Sequence, residues 1–225
     1  MPNSDPVLNL AWLIPVFPFL AFGAILLTTA RRRPKPSHGL AIGGVASACG
    51  LSWLFVVPRA ISIWASEGQL SYESPLVNWL VAGKERFGLG IYVDPATTVM
   101  LFAVPFVCLM IFIYSVGYMN FDTPQADRRY SRFFACASLL ASGMLGLLVF
   151  NNLLTFFIFW EIMGACSYLL IGFWHQKDQS GPDKITPWQA GLRAFIVTRV
   201  SDLFFLLGLV LLYAQAGSLS YSEIF

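Results

Sequence analysis

The chain has 225 residues, of which 57% are hydrophobic and 12% charged, with a mean hydropathy of +0.67 and a formal net charge of +2. That composition excludes an ordinary soluble domain and places the chain in the membrane class. The net charge itself says little; the positions of the charges carry the information.

Long apolar stretches separated by short polar ones predict six spanning helices, approximately Leu8 to Ala30, Gly39 to Trp64, Ala96 to Met119, Phe133 to Phe150, Leu153 to Trp174 and Ala194 to Ala214. The first positive cluster, Arg31 to Arg33, follows the first apolar segment instead of preceding it, so the start reads as a retained helix and not as a cleavable signal peptide. In the second span Gly39-x-x-x-Gly43 predicts a close helix approach at those two glycines. Between Ala65 and Pro95, apolar segments flank a turn from Gly83 to Arg86, the pattern of a short β-hairpin that clamps a neighbour. Pro105 predicts a kink in the third span, and Ser138, Ser142 and Gly146, spaced by four, form a packing stripe on the fourth. Only Asn151 and Asn152 part the fourth and fifth spans. A single helix from Phe133 to Trp174 would be about twice as long as a bilayer is thick, so two helices joined by a tight turn are expected.

Orientation follows from Lys and Arg. Arg31, Arg32, Arg33, Lys35, Arg128, Arg129, Arg132, Lys177, Lys184 and Arg193 fall on one side of the six spans; Lys84 and Arg86 fall on the other, and Arg59 and Arg199 lie inside spans. The positive-inside rule then puts both termini and the hairpin outside and the odd loops in the cytoplasm. That outside is the periplasm in a bacterium or the equivalent compartment in an organelle, between which the charges do not choose; a bacterial inner (cell) membrane is the expectation. Cys49, Cys108, Cys136 and Cys166 are far apart and within spans, and His38 and His175 stand alone at membrane edges. No metal, haem or iron–sulfur ligand set is visible, so no cofactor is expected in this chain.

The residue that most needs explaining is Glu161, in the otherwise uncharged run LLTFFIFWEIMGACSYLLIGFW. A charge near a bilayer centre costs at least ~2.5 to 3.5 kcal/mol on insertion scales, and such residues mark ion or proton paths. Glu161 has no opposite charge one turn away on its own helix, which suits a carboxyl that takes and releases a proton. Tyr168 and His175 follow at two and four turns on nearly the same face, a possible relay towards the cytoplasm. On the sixth span Arg199 and Asp202 are neighbours on one face, with Thr198 one turn before Asp202. They form either part of a proton path or an internal ion pair that holds helices together. Counted from the expected start of that span, they lie about 8 and 12 Å deep, shallower than Glu161.

These segments carry a resemblance. FWEIMGACSYLLIGFW around Glu161, IYSVGYMNFD at the end of the third span and AFIVTRVSDLFFLLG in the sixth are similar to the antiporter-like membrane subunits of respiratory complex I, most closely its distal large subunit, the L or chain 5 family. The likeness is good over about residues 90 to 225 and one of pattern before that. It implies an all-α integral membrane protein of six transmembrane helices with a short outer β-hairpin, an incomplete antiporter-like inverted-repeat fold. Residues 1–132 would hold the first three helices, and 133–225 the start of the proton-translocating repeat. It implies a non-redox subunit of a proton-translocating NADH:quinone oxidoreductase, with Glu161, Asp202 and Arg199 in translocation and Tyr168, His175 and Thr198 as a possible relay. FMN, iron–sulfur clusters and quinone would sit in partner subunits. The partners would be other membrane-arm subunits, the remaining helices of the same subunit and the lipid bilayer, with no nucleic acid. In the family Glu161 would pair with a lysine on the seventh helix. Lys35, Lys84, Lys177 and Lys184 all fall in expected loops, so that lysine would lie on sequence beyond this chain, which would be a fragment, one piece of a split subunit, or a remnant. A multisubunit cation/proton antiporter or inorganic-carbon uptake complex, and a structural scaffold, are the alternatives.

Overall fold

The computed structural model describes residues 5–29, 36–67, 71–82, 85–122, 128–174 and 185–224. Among the described residues, six helices are long and apolar enough to cross a membrane: α1 Leu8–Thr28, α2 Ser37–Ser66, α3 Pro95–Met119, α4 Arg129–Val149, α5 Leu153–Ile171 and α6 Pro187–Ala216. An antiparallel hairpin, β1 Tyr72–Ala82 and β2 Glu85–Val93, links α2 to α3, and a short helix α7, Tyr221–Ile224, follows α6. The chain is an integral membrane protein with the six spans and the hairpin expected from its sequence. The tip expected at Gly83 to Arg86 falls partly on Gly83 and Lys84, outside the described residues.

The largest boundary difference is α6, which starts at Pro187 and not near Ala194. Thr186 and Gln189 form a capping box and Pro187 takes the first helical position, where a missing N–H costs nothing. Arg193 is therefore a helix residue and not part of a loop. The fifth helix begins where expected because Asn152 caps it, its side chain accepting from Leu154 N at 2.8 Å.

Prolines inside spans are tolerated because neighbours answer the carbonyls they free. Pro105 has no N–H for the Leu101 carbonyl; Ser52 Oγ donates to that oxygen at 2.6 Å, and Trp53 Nε1 donates to Phe102 O at 2.7 Å. The Trp53 ring stacks on Phe102 with centroids 4.7 Å apart. A π-helical turn at Ser52–Val56 precedes Pro58 and absorbs its missing bond within α2.

Helix α4 is the centre of the bundle, packed against α1, α2, α3 and α5, while α6 packs on α5. Half of the α4 apolar window is buried, against 11% for α5 and for α6, so the last two helices form an arm whose outer faces meet lipid or other protein. The small-residue stripe of α4 has this cause: Ser142 Oγ donates to Pro15 O on α1 at 2.8 Å, and a Cβ at Gly146 would stand 2.6 Å from the Phe159 ring of α5. The stripe predicted on α2 is misplaced, however. Nothing lies within 4 Å of a Cβ at Gly39 or Gly43, whereas one at Gly44 would meet Ala21 Cβ at 2.7 Å and Phe17 O at 3.0 Å. A small-xxx-small pattern fixes a spacing, and the packing used a face one residue away. At the opposite end from the hairpin, Tyr130 Oη lies 3.1 Å from His38 Nδ1 and joins α4 to α2.

The hairpin end is tied to the start of the chain. Tyr72 Oη accepts from Asp5 N at 3.0 Å and donates to Asn9 Oδ1 at 2.9 Å, while Asp5 Oδ2 binds Arg59 Nε at 2.7 Å. Arg59 thus serves the end of α2 rather than its interior. Burial alone would raise the Asp5 carboxyl, but the Arg59 hydrogen bond, the Val7 and Leu8 N–H groups and the Arg59 charge together hold it below its ordinary value.

Two predictions follow from these contacts. Gly44→Leu overpacks the α1–α2 contact and lowers stability by about 1–3 kcal/mol, whereas Gly43→Leu does not; thermal unfolding of the detergent-solubilised chain compares them. Asp5→Asn is destabilising at neutral pH. Because the folded carboxyl titrates below its unfolded value near ~3.9, the difference from wild type stays full above that value and vanishes only as pH falls through the depressed one. A wild-type to Asp5→Asn gap that instead closes between pH 6 and 8 would contradict the assignment.

Candidate charged site at mid-membrane

Glu161 is the ninth residue of the 19 in α5, and Arg199 and Asp202 flank the centre of the 30-residue α6. The two helices pack together, so three charges meet at the middle of two spans. Arg199 Nη1 forms an ion pair with Glu161 Oε2, and the same nitrogen lies 3.4 Å from Asp202 Oδ2. The expected intrahelical Arg199–Asp202 neighbourhood is present. The expected difference in depth is not: α6 begins a full two turns earlier than its hydropathy suggests, and this brings Arg199 level with Glu161. Glu161 also has a partner within this chain. Its spacing along α5 could not reveal a cation supplied by another helix.

Three neighbours shape the site. Trp160 Nε1 donates to Asp202 Oδ1 at 2.9 Å, so Asp202, 8% exposed at its side chain, has both oxygens engaged. The guanidinium carbon of Arg199 lies 4.6 Å from the Phe195 ring centroid, a cation–π contact. A Cβ at Gly164 would stand 3.1 Å from Arg199 Nη2, so the lack of a side chain there leaves room for the guanidinium. Sequence reasoning passed over Trp160 and Gly164. A tryptophan inside a span needs an acceptor for its N–H, and a glycine three residues after an intramembrane glutamate shares its face; both signals were present.

Of the possible relay, Tyr168 faces α6, its ring 5.1 Å from that of Phe195. Thr198 is exposed and its hydroxyl donates to Phe195 O of its own helix at 2.9 Å, away from the ion pair. His175 and the lysines Lys35, Lys84, Lys177 and Lys184 lie outside the described residues. No group of three His, Cys, Asp or Glu side chains among the described residues could hold a metal ion.

The hairpin end fixes how α5 and α6 stand against each other. Asn151 N donates to Gly90 O at 3.2 Å and Asn151 Nδ2 to Glu73 Oε1 at 2.6 Å. Leu153 N bonds Leu219 O at 3.0 Å, and Tyr221 N bonds Asn151 O at 3.0 Å. A Cβ at Gly90 would collide with the Asn151 side chain, so glycine is required where β2 crosses the α4–α5 turn. The turn before Glu161 and the segment after Arg199 are thereby pinned to one hairpin.

One guanidinium serving two carboxylates makes the substitutions non-additive. Arg199→Gln leaves both acids without a cation among the described residues and costs about 3–5 kcal/mol, and adding Glu161→Gln to it restores stability instead of lowering it further. A double-mutant cycle by thermal unfolding measures this coupling, and strictly additive losses would show that the pair does not form.

The comparisons with known proteins agree with this layout. Residues 150–225 match the family model described as "NADH:quinone oxidoreductase/Mrp antiporter, TM", and residues 79–134 that described as "NADH-Ubiquinone oxidoreductase (complex I), chain 5 N-terminus". Curated relatives include NAD(P)H-quinone oxidoreductase subunit 5 of the Paulinella chromatophora chromatophore, 34% identical over 95% of this chain and 30% of its own length. The chloroplastic subunit 5 of Nephroselmis olivacea is 36% identical over 95% of this chain and 31% of its own length. Chain 5 of Synechocystis sp. is 34% identical over 96% and 30%. This chain therefore spans about 30% of the length of the relatives it matches. Among solved structures, the membrane-bound sulfane sulfur reductase, an archaeal respiratory membrane complex, aligns with a TM-score of 0.69 at 14% identity, over 96% of this chain and 39% of that one, a likeness of fold. Over residues 79–134 and 150–225 the chain is therefore similar to the antiporter-like chain 5 family of complex I membrane subunits.

Proposed function

We propose that this chain is part of a proton-translocating membrane-arm subunit of a NAD(P)H:quinone oxidoreductase of the complex I type. The observation that carries the reading is the mid-membrane cluster in which Arg199 is shared between Glu161 and Asp202. Ion pairs at such depth are costly to build, and this one stands in residues 150–225, within the matched antiporter-type segment. The match of residues 79–134 to a chain 5 N-terminus favours the oxidoreductase over a cation/proton antiporter or a scaffold.

The chemistry is electrostatic. Arg199 Nη1 stands between two carboxylates, so protonation of Glu161 releases the guanidinium towards Asp202, which Trp160 holds in place. Loss of that proton draws it back. A charge change in a neighbouring segment biases this two-position element, and each charge moved against the membrane potential costs ~2.3 kcal/mol per 100 mV, supplied by redox chemistry elsewhere. The chain acts without redox groups of its own; FMN, iron–sulfur clusters and quinone belong to partner subunits. Its partners are other membrane-arm subunits and the further helices that the relatives carry, and helices four to six, residues 133–225, begin the translocating repeat. Both termini and the hairpin face outside, with the arginine-rich loops inside a bacterial cell membrane. Protons are taken up from the arginine-rich side past Tyr168.

In the assembled complex reconstituted into sealed vesicles, Glu161→Gln lowers the initial rate of proton movement severalfold per electron transferred, and Glu161→Asp retains part of it. Dye quenching measured alongside quinone reduction reads both quantities. Full pumping by a correctly assembled Glu161→Gln complex would overturn the proposal and leave the chain a scaffold.

A further inference from the structure

At the arginine-rich end of the bundle, α4, α5 and α6 diverge around a cleft of about 350 Å³ lined by Arg132, Tyr168, Leu169, Gly172 and Trp188. The cleft sits at the level of the membrane interface, because α4 begins at Arg129, α5 ends at Ile171 and α6 begins at Pro187. Its floor is backbone: a Cβ at Gly191 would lie 3.2 Å from Gly172 N, so two glycines bring the end of α5 against the start of α6. Above that floor the side chains are of one chemical kind. Arg132 brings a guanidinium that forms no ion pair among the described residues, and Tyr168 and Trp188 bring an O–H and an N–H donor on apolar rings. No carboxylate lines the cleft among the described residues. Leu169 and Trp188 are 42% and 48% exposed and extend the wall from the polar mouth onto the apolar surface of the bundle.

We propose that this cleft binds an anionic phosphate group, with the guanidinium of Arg132 on its oxygens and Trp188 and Leu169 against whatever is attached to it. Three features carry the assignment: a cation without a counter-ion among the described residues, donors that match phosphate oxygens, and an apolar wall that continues into the bilayer. Basic pockets between helices at the membrane face are a recurring phospholipid headgroup site, and guanidinium is suited to bidentate phosphate contact. The phosphate can come from a phospholipid headgroup or from free phosphate in solution. Only the lipid uses the wall of Leu169 and Trp188. This site shares Tyr168 with the proposed uptake route, but its assignment rests on none of the charges at Glu161, Arg199 and Asp202.

The test uses the whole chain, solubilised in mild detergent from membranes that contain phosphatidylglycerol and phosphatidylcholine. Phosphatidylglycerol retained through purification is quantified by native mass spectrometry. Wild type retains it in preference to phosphatidylcholine, Arg132→Gln loses roughly five- to tenfold of the retained anionic lipid, and Arg193→Gln, an exposed arginine that does not line the cleft, retains it as wild type does. If Arg132→Gln does not fold, Trp188→Ala, which keeps the charge and removes the apolar wall, gives the same loss of lipid. Inorganic phosphate separates the two sources: thermal stabilisation of wild type by millimolar phosphate alone, abolished in Arg132→Gln, assigns the site to free phosphate, whereas stabilisation by phosphatidylglycerol vesicles alone assigns it to lipid. Equal retention and equal stabilisation in wild type, Arg132→Gln and Trp188→Ala would overturn the proposal.

Discussion

Inside a bilayer, no polar group can turn to water, so each must find a partner on the protein, and this constraint accounts for most of the specific contacts in the structure. It explains why the carbonyl freed by Pro105 meets Ser52, and why Ser142 reaches across to Pro15. It also explains the centre of the α5–α6 pair. A glutamate at mid-span demands a cation at the same level, an arginine on the next helix supplies it, and the aspartate beside that arginine shares the same guanidinium nitrogen and accepts a tryptophan N–H. Remove any one of these and another is left unanswered in an apolar medium, so the four residues behave as a unit rather than as separate contacts.

Helices that meet through a few polar contacts must also be held at the right height, since a shift of one residue moves a side chain by 1.5 Å along the axis and about 100° around it. The hairpin end supplies that control. Asn152 fixes where α5 starts, Asn151 fixes the turn before it to Gly90 and Glu73, and the backbone of Leu219 and Tyr221 joins the same knot after α6. Ser220 Oγ, 3.4 Å from Glu73 Oε1, adds the side-chain link. The paired asparagines thus do more than interrupt an apolar run: they place Glu161 and Arg199 at equal depth from a common anchor.

Much of this was legible in the sequence, and the parts that were not share one physical cause. Hydropathy and spacing report on single elements, so the six spans, the hairpin and the break at Asn151 and Asn152 could be read directly. The intrahelical neighbourhood of Arg199 and Asp202 could be read for the same reason. Contacts between helices depend on rotation about the axes, which composition does not encode. Gly39 and Gly43 therefore had the right pattern while Gly44 has the contact, and the arginine partner of Glu161 was invisible although both residues had been singled out. The depth assigned to Arg199 and Asp202 failed differently. Hydropathy places a span where its apolar residues begin, but Thr186 and Pro187 start the helix earlier, and a capping box is a stronger boundary signal than the first run of apolar side chains.

The charge count within the cluster has a further consequence. Glu161 and Asp202 bring two carboxyl groups and Arg199 one guanidinium, so with both acids ionised the cluster carries a net negative charge at the least hydrated point of the membrane. Such a site is balanced by a second cation or by one proton. One guanidinium therefore faces two acids. They are not equivalent. Asp202 is the more buried, 8% against 28% exposed at the side chain, and it receives a fixed N–H from Trp160. Glu161 has the Arg199 guanidinium alone among its described partners. The geometry therefore separates an acid held by two donors from one held by a single guanidinium, and the separation is built by the tryptophan rather than by the charges themselves.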